Sequence, residues 1–265
     1  MQATLIAGIP SANDTLFHAI RFSAGDPAAL IDFGDERLLI IRDIEMDRAR
    51  TSARADRIAC PADYSPTHGL SGDRETATAQ ATAEAIVQRG IRSVRADRTL
   101  PLSFMSALRE VNIETVYDED LGVVDRRQKD DEEIDALRSA QRDTQSAIAL
   151  ACERIAKAEV GADGLLHDGS ETLTSERVRA WIDIHLLELG YANPTSIVAG
   201  GPQGADCHDH GHGALRTSEP IIIDVFPRSR TSRYNGDCTR TVVHGEIPSD
   251  IAKMHAAVRE AKIAG

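Results

Sequence analysis

The 265-residue chain has no apolar run near the roughly 20 residues that a membrane-crossing helix requires, so no such span is expected. Its first residues lack a basic start followed by a long apolar core, and a secretory signal is not expected either. Cysteine is scarce: Cys60, Cys152, Cys207 and Cys238 show no Cys-x-x-Cys spacing, which argues against a zinc knuckle and fits a reduced, cytoplasmic compartment. Basic residues are in the minority, 30 against 42 acidic ones, for a formal charge of -12. A phosphate backbone would be repelled, so nucleic acid is not an expected partner. The acidity is spread along the chain and reads as solubility. There is no internal repeat and no low-complexity tract.

What remains, with 42% hydrophobic residues, is enough to bury a substantial core in two domains. The first half alternates short elements. Ala28 to Phe33 and Arg37 to Arg42 read as a hairpin through Gly34-Asp35. Helices are expected over Thr76 to Arg89 and Ser103 to Val111, with strands over Ile91 to Val94 and Ile113 to Tyr117. Such alternation implies an α/β layer. The charged stretch Asp118 to Asp131 reads as a linker, placing domains at 1–127 and 128–265.

A long helix then runs over Lys129 to Ala158. Ile134, Leu137, Gln141, Thr144, Ile148, Ala151 and Ile155 form an apolar stripe with a polar middle, expected to pack on a sheet. Leu165 to Thr172 reads as a loop carrying a surface histidine, His167. Thr174 caps the next helix, whose face is Val178, Trp181, Ile182, His185, Leu186 and Leu189. A last helix is expected over Pro248 to Ala264.

The most informative stretch is Ile221-Ile222-Ile223-Asp224-Val225-Phe226, answered by Asp237 in Tyr234-Asn235-Gly236-Asp237-Cys238-Thr239-Arg240-Thr241. The apolar run reads as a buried strand, where a carboxylate must be paired or hold a metal. A hairpin would set Asp224 and Asp237 side by side on adjacent strands, and facing carboxylates repel unless a cation lies between them. Upstream, Cys207-His208-Asp209-His210-Gly211-His212-Gly213 places histidines at alternate positions. Alone this reads equally as a solvated loop; beside a dicarboxylate pair, one histidine becomes a candidate acid, base or substrate-positioning group. The cysteines flanking these groups read as small buried thiols rather than ligands.

From His208 through Leu215, Asp224, Tyr234 and Asp237 to Thr239-Arg240-Thr241 and Gly245, the chain resembles the pita-bread-fold metallopeptidases. That family includes Xaa-Pro aminopeptidases, prolidases and methionine aminopeptidases. The resemblance implies an α/β (α+β) architecture: a ribonuclease H-like, creatinase-type N-terminal domain followed by an incomplete pita-bread catalytic domain. It implies Asp224 and Asp237 as ligands of a binuclear centre of Mn²⁺, Co²⁺ or Zn²⁺, and His208 as the residue that binds substrate near the scissile bond. Thr239 and Arg240 become a ligand's partner and a counter-charge.

The expected activity is metal-dependent removal of an N-terminal residue from a short peptide, before proline. A homodimer is compatible with this reading, and no membrane partner is expected. The segment between the two aspartates is longer than in many members. The remaining family ligands, one histidine and two glutamates, would lie beyond Gly265. These 265 residues alone are therefore expected to bind metal weakly and not to cleave peptides. A non-catalytic peptide-binding module and a creatinase-like, metal-independent hydrolase are the rivals, and neither needs two facing carboxylates.

Overall fold

The computed structural model describes residues 3–265 and divides into two compact units, one running to Lys129 and one from Asp130 to Gly265. In chain order the first contains β1 (Ala3–Gly8), α1 (Asp14–Ile20), β2 (Ala28–Asp32), β3 (Arg37–Ile40), α2 (Met46–Ser52) and β4 (Arg57–Ala59). It continues with α3 (Arg74–Gln88), β5 (Ser93–Ala96), α4 (Leu102–Glu110), β6 (Glu114–Tyr117) and α5 (Val124–Arg127). Its sheet has the order β4-β3-β2-β1-β5-β6. The β1, β5 and β6 strands run parallel, whereas β2 is antiparallel to both β1 and β3.

Alternation along β1 feeds two cores. Leu5 and Ala7 join Ile31, Leu38, Ile86, Phe104 and Leu108 on the side of α3 and α4. Ile6 joins Leu30, Leu39, Leu16, Ile20 and Ala49 on the side of α1 and α2. Helices thus cover both faces, the solution a twisted sheet adopts when neither face can remain wet. The expected β2–β3 hairpin forms. The strand expected from Ile91 begins two residues later, because Ile91 caps the end of α3 by donating its N–H to Ile86 O at 3.3 Å. The charged stretch expected as a linker holds a short helix, α5, instead of continuous coil.

The second unit opens with α6 (Asp131–Ala156), whose start is fixed by a capping box: Asp130 accepts from Glu133 N, and Glu133 accepts from Asp130 N. A small sheet follows, β7 (Glu159–Val160), β8 (Leu166–Asp168) and β9 (Glu171–Thr172). His167 therefore sits in a strand opposite Glu159 and Thr172, not in the loop its polar neighbours suggested. Next come α7 (Ser175–Glu188), β10 (Tyr191–Ala192), β11 (Ile197–Gly200), β12 (Pro220–Val225), β13 (Arg228–Ser229), β14 (Cys238–Val243) and α8 (Ser249–Ala264).

The central sheet has the order β11-β12-β14, all antiparallel, and α6 and α7 cover one face. Val178, Ile182 and Leu186 of α7 are buried there, as the pattern requires, but Leu189 is exposed because α7 ends one residue before it. On α6 the buried set is Glu133, Ala140, Thr144, Ala147, Ile148, Ala151 and Ile155. Ile134 and Leu137, expected in the stripe, are only half-buried. The turn before β14 descends instead on Ala140 and Thr144, and an added Cβ at Gly236 would lie 2.0 Å from Thr144 Oγ1 and 2.6 Å from Ala140 O.

Candidate metal and substrate site

Strand β12 carries Ile221, Ile223 and Val225 into the core, while Ile222 and Asp224 on its other face are half-buried. The Ile221–Phe226 run is therefore not buried on both faces. It is one side of a sheet packed by helices on a single side, and Asp224 lies on the more open face. Its carboxylate accepts a hydrogen bond from Thr239 Oγ1 at 2.7 Å, directly across the β12–β14 pairing.

Asp237 stands one residue before β14, two positions from Thr239, and is exposed. By the period-2 rule it shares a face with Thr239 and hence with Asp224. The two aspartates are diagonal neighbours, a relation that sets backbones about 7–8 Å apart and Cβ atoms somewhat closer. They are not directly opposed, as a simple hairpin would have them; Thr239 occupies that place.

What holds Asp237 is α6. Gln141 forms a two-way clamp on the Asp237 backbone: its Oε1 accepts from Asp237 N at 3.2 Å and its Nε2 donates to Asp237 O at 3.1 Å. Three residues earlier in this turn, Tyr234 Oη donates to the buried Glu133 carboxylate at 2.5 Å. Between them, Gly236 donates its N–H to Pro227 O at 3.0 Å. The intervening chain is tied down as well, since β13 pairs with β10 and Arg228 bridges to Asn235. Tyr191 of β10 donates to Asp143 of α6 at 2.6 Å. Burial, reinforced by that carboxylate, pushes its phenol up to about 12.

The histidine-rich segment is not extended. Asp209 N returns to Asp206 O at 3.2 Å, and Gly211 and Gly213 both have left-handed backbones, so the expected alternation of three imidazoles is broken. The segment instead lies along the free edge of β11. Val198 N donates to His210 O at 3.1 Å, and an added Cβ at Gly211 would sit 1.8 Å from Val198 O, which requires glycine there. Arg179 donates to the carbonyls of His210 and Gly211. Gln203 brackets His212 through both backbone groups. Glu176 accepts from Gly213 N; burial opposes its charge, but this bond and its own N–H hold the carboxyl below its ordinary value.

His208, His210 and His212 are all exposed. Because Ile197 pairs with Asp224 on one side of β11 and His210 reaches Val198 from the other, the histidine segment is about two strand spacings, roughly 10 Å, from Asp224. Among the described residues His208 is grouped with Asp206 and Cys207, their donor atoms within 4.8 Å of one another. Cys207 is exposed, contrary to the expected buried thiol; Cys238 is buried, and Cys60 and Cys152 are intermediate. Asp206, Gln141 and Glu133 were not singled out from the sequence as site residues. Only Gln141 carried a signal, as a polar group in the middle of an apolar stripe.

Two carboxylates on one sheet face, one bonded by Thr239 and the other on a backbone held by Gln141, are a donor set of oxygen atoms that suits hard or borderline divalent ions. The arrangement is a candidate oxygen-donor site carried on antiparallel strands. Residues 135–265 match the model of metallopeptidase family M24. The chain is 29% identical over 140 residues to the probable dipeptidase PepE of Mycobacterium bovis, a match covering 52% of this chain and 33% of that protein. In fold it is similar to the prolidase of Pyrococcus horikoshii, with TM-score 0.72 and 18% identity over 100% of this chain and 67% of that one. The Xaa-Pro dipeptidase of Bacillus anthracis gives TM-score 0.75 at 18% identity, over 98% and 65%. The chain thus spans about two thirds of these structures and matches a third of the curated relative. Its architecture is the mixed α/β, pita-bread type of these neighbours.

Proposed function

We propose that this chain contributes to a metal-dependent aminopeptidase or dipeptidase acting on short peptides before proline. The single observation that supports this best is the placing of Asp224 and Asp237 on one face of β12–β14, each fixed from outside the pair. Asp224 and Asp237 would hold a pair of divalent ions, Mn²⁺, Co²⁺ or Zn²⁺. When bound, such ions polarise a carbonyl and lower the pKa of water toward neutrality.

The chain's own residues prepare the place. Thr239 fixes one oxygen of Asp224 and leaves the other for ligation. Gln141 holds the Asp237 backbone, so that only the side chain remains to be ordered on binding. His208, on its loop beyond β11, donates or accepts a hydrogen bond at the substrate's scissile amide. Substrate preference for proline rests on the named activities of the structural neighbours.

Two aspartates alone do not complete two coordination spheres; the family resemblance adds a histidine and two glutamates to them. The test is Mn²⁺-dependent hydrolysis of Ala-Pro by a polypeptide that contains all of them. Asp224→Asn should abolish it, and His208→Ala should lower turnover while most metal stays bound. Loss of metal from His208→Ala with unchanged turnover per bound ion would reverse the assigned roles.

A further inference from the structure

The N-terminal unit carries a second candidate site, unrelated to the aspartates of β12 and β14. The parallel neighbours β1 and β5 end side by side, and the chain leaves them for opposite faces of the sheet: β1 leads to α1 in one core, β5 to α4 in the other. Such a divergence opens a crevice beyond the carboxyl ends of the strands, the place where open α/β sheets bind ligands. Here the crevice is a cavity of about 500 Å³, within the usual range for small-molecule sites.

Its wall contains an anomaly. Asp97, the residue after β5, lines the cavity and is only 4% exposed, yet its Oδ1 has no hydrogen-bond partner. The carboxylate is held in place, because Oδ2 accepts from Thr99 Oγ1 at 2.6 Å, and Thr99 in turn accepts from Asn13 Nδ2 at 2.8 Å. A buried carboxylate oxygen left unpaired is costly, and in a native fold it signals a missing donor.

Two cations also line the cavity. Arg98 spends one bond on Glu119 O at 3.1 Å, and Arg126 spends its Nε on Gly122 O at 2.7 Å. Neither has a carboxylate partner among the described residues. Two further acids line the cavity: Glu75 of α3, which accepts from Ser103 Oγ at 2.5 Å, and Asp14 of α1, which has a partner of its own. A water would satisfy Oδ1 but leave the exposed Arg98 and the half-buried Arg126 facing solvent rather than a carboxylate. A ligand carrying an ammonium for Asp97 and a carboxylate for Arg98 or Arg126 answers both needs, the second through the strong guanidinium–carboxylate geometry.

We infer that this cavity binds a small zwitterion of the amino-acid class, a free α-amino acid or a dipeptide, with its ammonium on Asp97 and its carboxylate on the arginines. The site lies wholly within residues 8–126 and stands or falls independently of the proposed peptidase activity. The test is calorimetric titration of the full 265-residue chain with L-alanine and with Ala-Ala, the two sources of this chemistry. Controls are N-acetyl-L-alanine, which lacks the ammonium, and L-alaninamide, which lacks the carboxylate.

Saturable binding of alanine or Ala-Ala is expected, with each control at least tenfold weaker. Asp97→Asn should remove binding. Arg98→Ala, an exposed position that leaves the core untouched, should weaken it at least tenfold and so keeps the test decisive if Asp97→Asn does not fold. Absence of saturable binding, equal affinity for either control, or affinity unchanged in Arg98→Ala and Arg126→Ala alike would overturn the inference.

Discussion

Replacing Gly236 by alanine tests how the second aspartate is positioned. The new Cβ would lie 2.0 Å from Thr144 Oγ1 and 2.6 Å from Ala140 O. Favourable non-bonded contacts between heavy atoms lie near 3.5 Å, so the turn must withdraw from α6 by about 1 Å or the helix must give. Thr144 cannot easily yield, being fully buried with its hydroxyl committed to Ala140 O at 2.7 Å. Overpacking of this kind costs about 1–3 kcal/mol. The displacement would be passed to Asp237, whose bonds to Gln141 are already near the long end of the usual range.

The assay is urea unfolding followed by Trp181, the one tryptophan of the chain, which lies in the same unit and stacks against Arg154 at 4.6 Å. Thr144→Ala removes the nearer obstacle, so the double variant should be more stable than the sum of the single losses by about 0.5 kcal/mol or more. If Gly236→Ala stays within about 0.5 kcal/mol of the parent, or the two losses simply add, the seating of this turn on α6 is wrong.

Two further perturbations probe the same scaffold. Gln141→Leu removes both bonds to the Asp237 backbone, worth about 1–2 kcal/mol together, and exchange of the Asp237 amide should quicken about tenfold; an unchanged exchange rate would remove Gln141 from the positioning role. Tyr191 has a folded-state value pushed above its ordinary 10.0 to about 12, first by burial and then by Asp143. Its contribution is therefore complete below about pH 10 and is lost as pH rises from 10 to 12, a total of at most about 2.7 kcal/mol. Tyr191→Phe should be less steeply destabilised over that window, as judged by urea midpoints at pH 9 and pH 11.5; identical slopes would refute the assignment.

The two aspartates were legible because each breaks a pattern: a carboxylate inside Ile221–Phe226, and a second at the start of a strand ending in Thr-Arg-Thr. Their diagonal relation was not, since register depends on how the segment from Phe226 to Gly236 folds. That segment pairs with β10 and is seated on α6, contacts remote in sequence. The same remoteness hid the true buried face of α6. Ala140 and Glu133 carry little hydrophobic signal, and what buries them is the approach of Gly236 and Tyr234 from about a hundred residues away. The polar members of the stripe, Gln141 and Thr144, were visible, but a helix sequence does not show what a polar group holds. The β8–β9 hairpin escaped because Leu166-His167-Asp168 and Glu171-Thr172 have no apolar alternation, and their pairing rather than burial makes them strands. In the histidine segment, alternate spacing alone does not show that left-handed glycines reset the chain direction twice.

The central claim, that Asp224 and Asp237 together receive metal, is tested most directly by anomalous diffraction at the manganese edge from crystals soaked in Mn²⁺. The account predicts a peak within about 2.0–2.6 Å of a carboxylate oxygen from both aspartates, absent in the Asp224→Asn variant. A peak held by Asp206, Cys207 and His208, with none between the two aspartates, would contradict it.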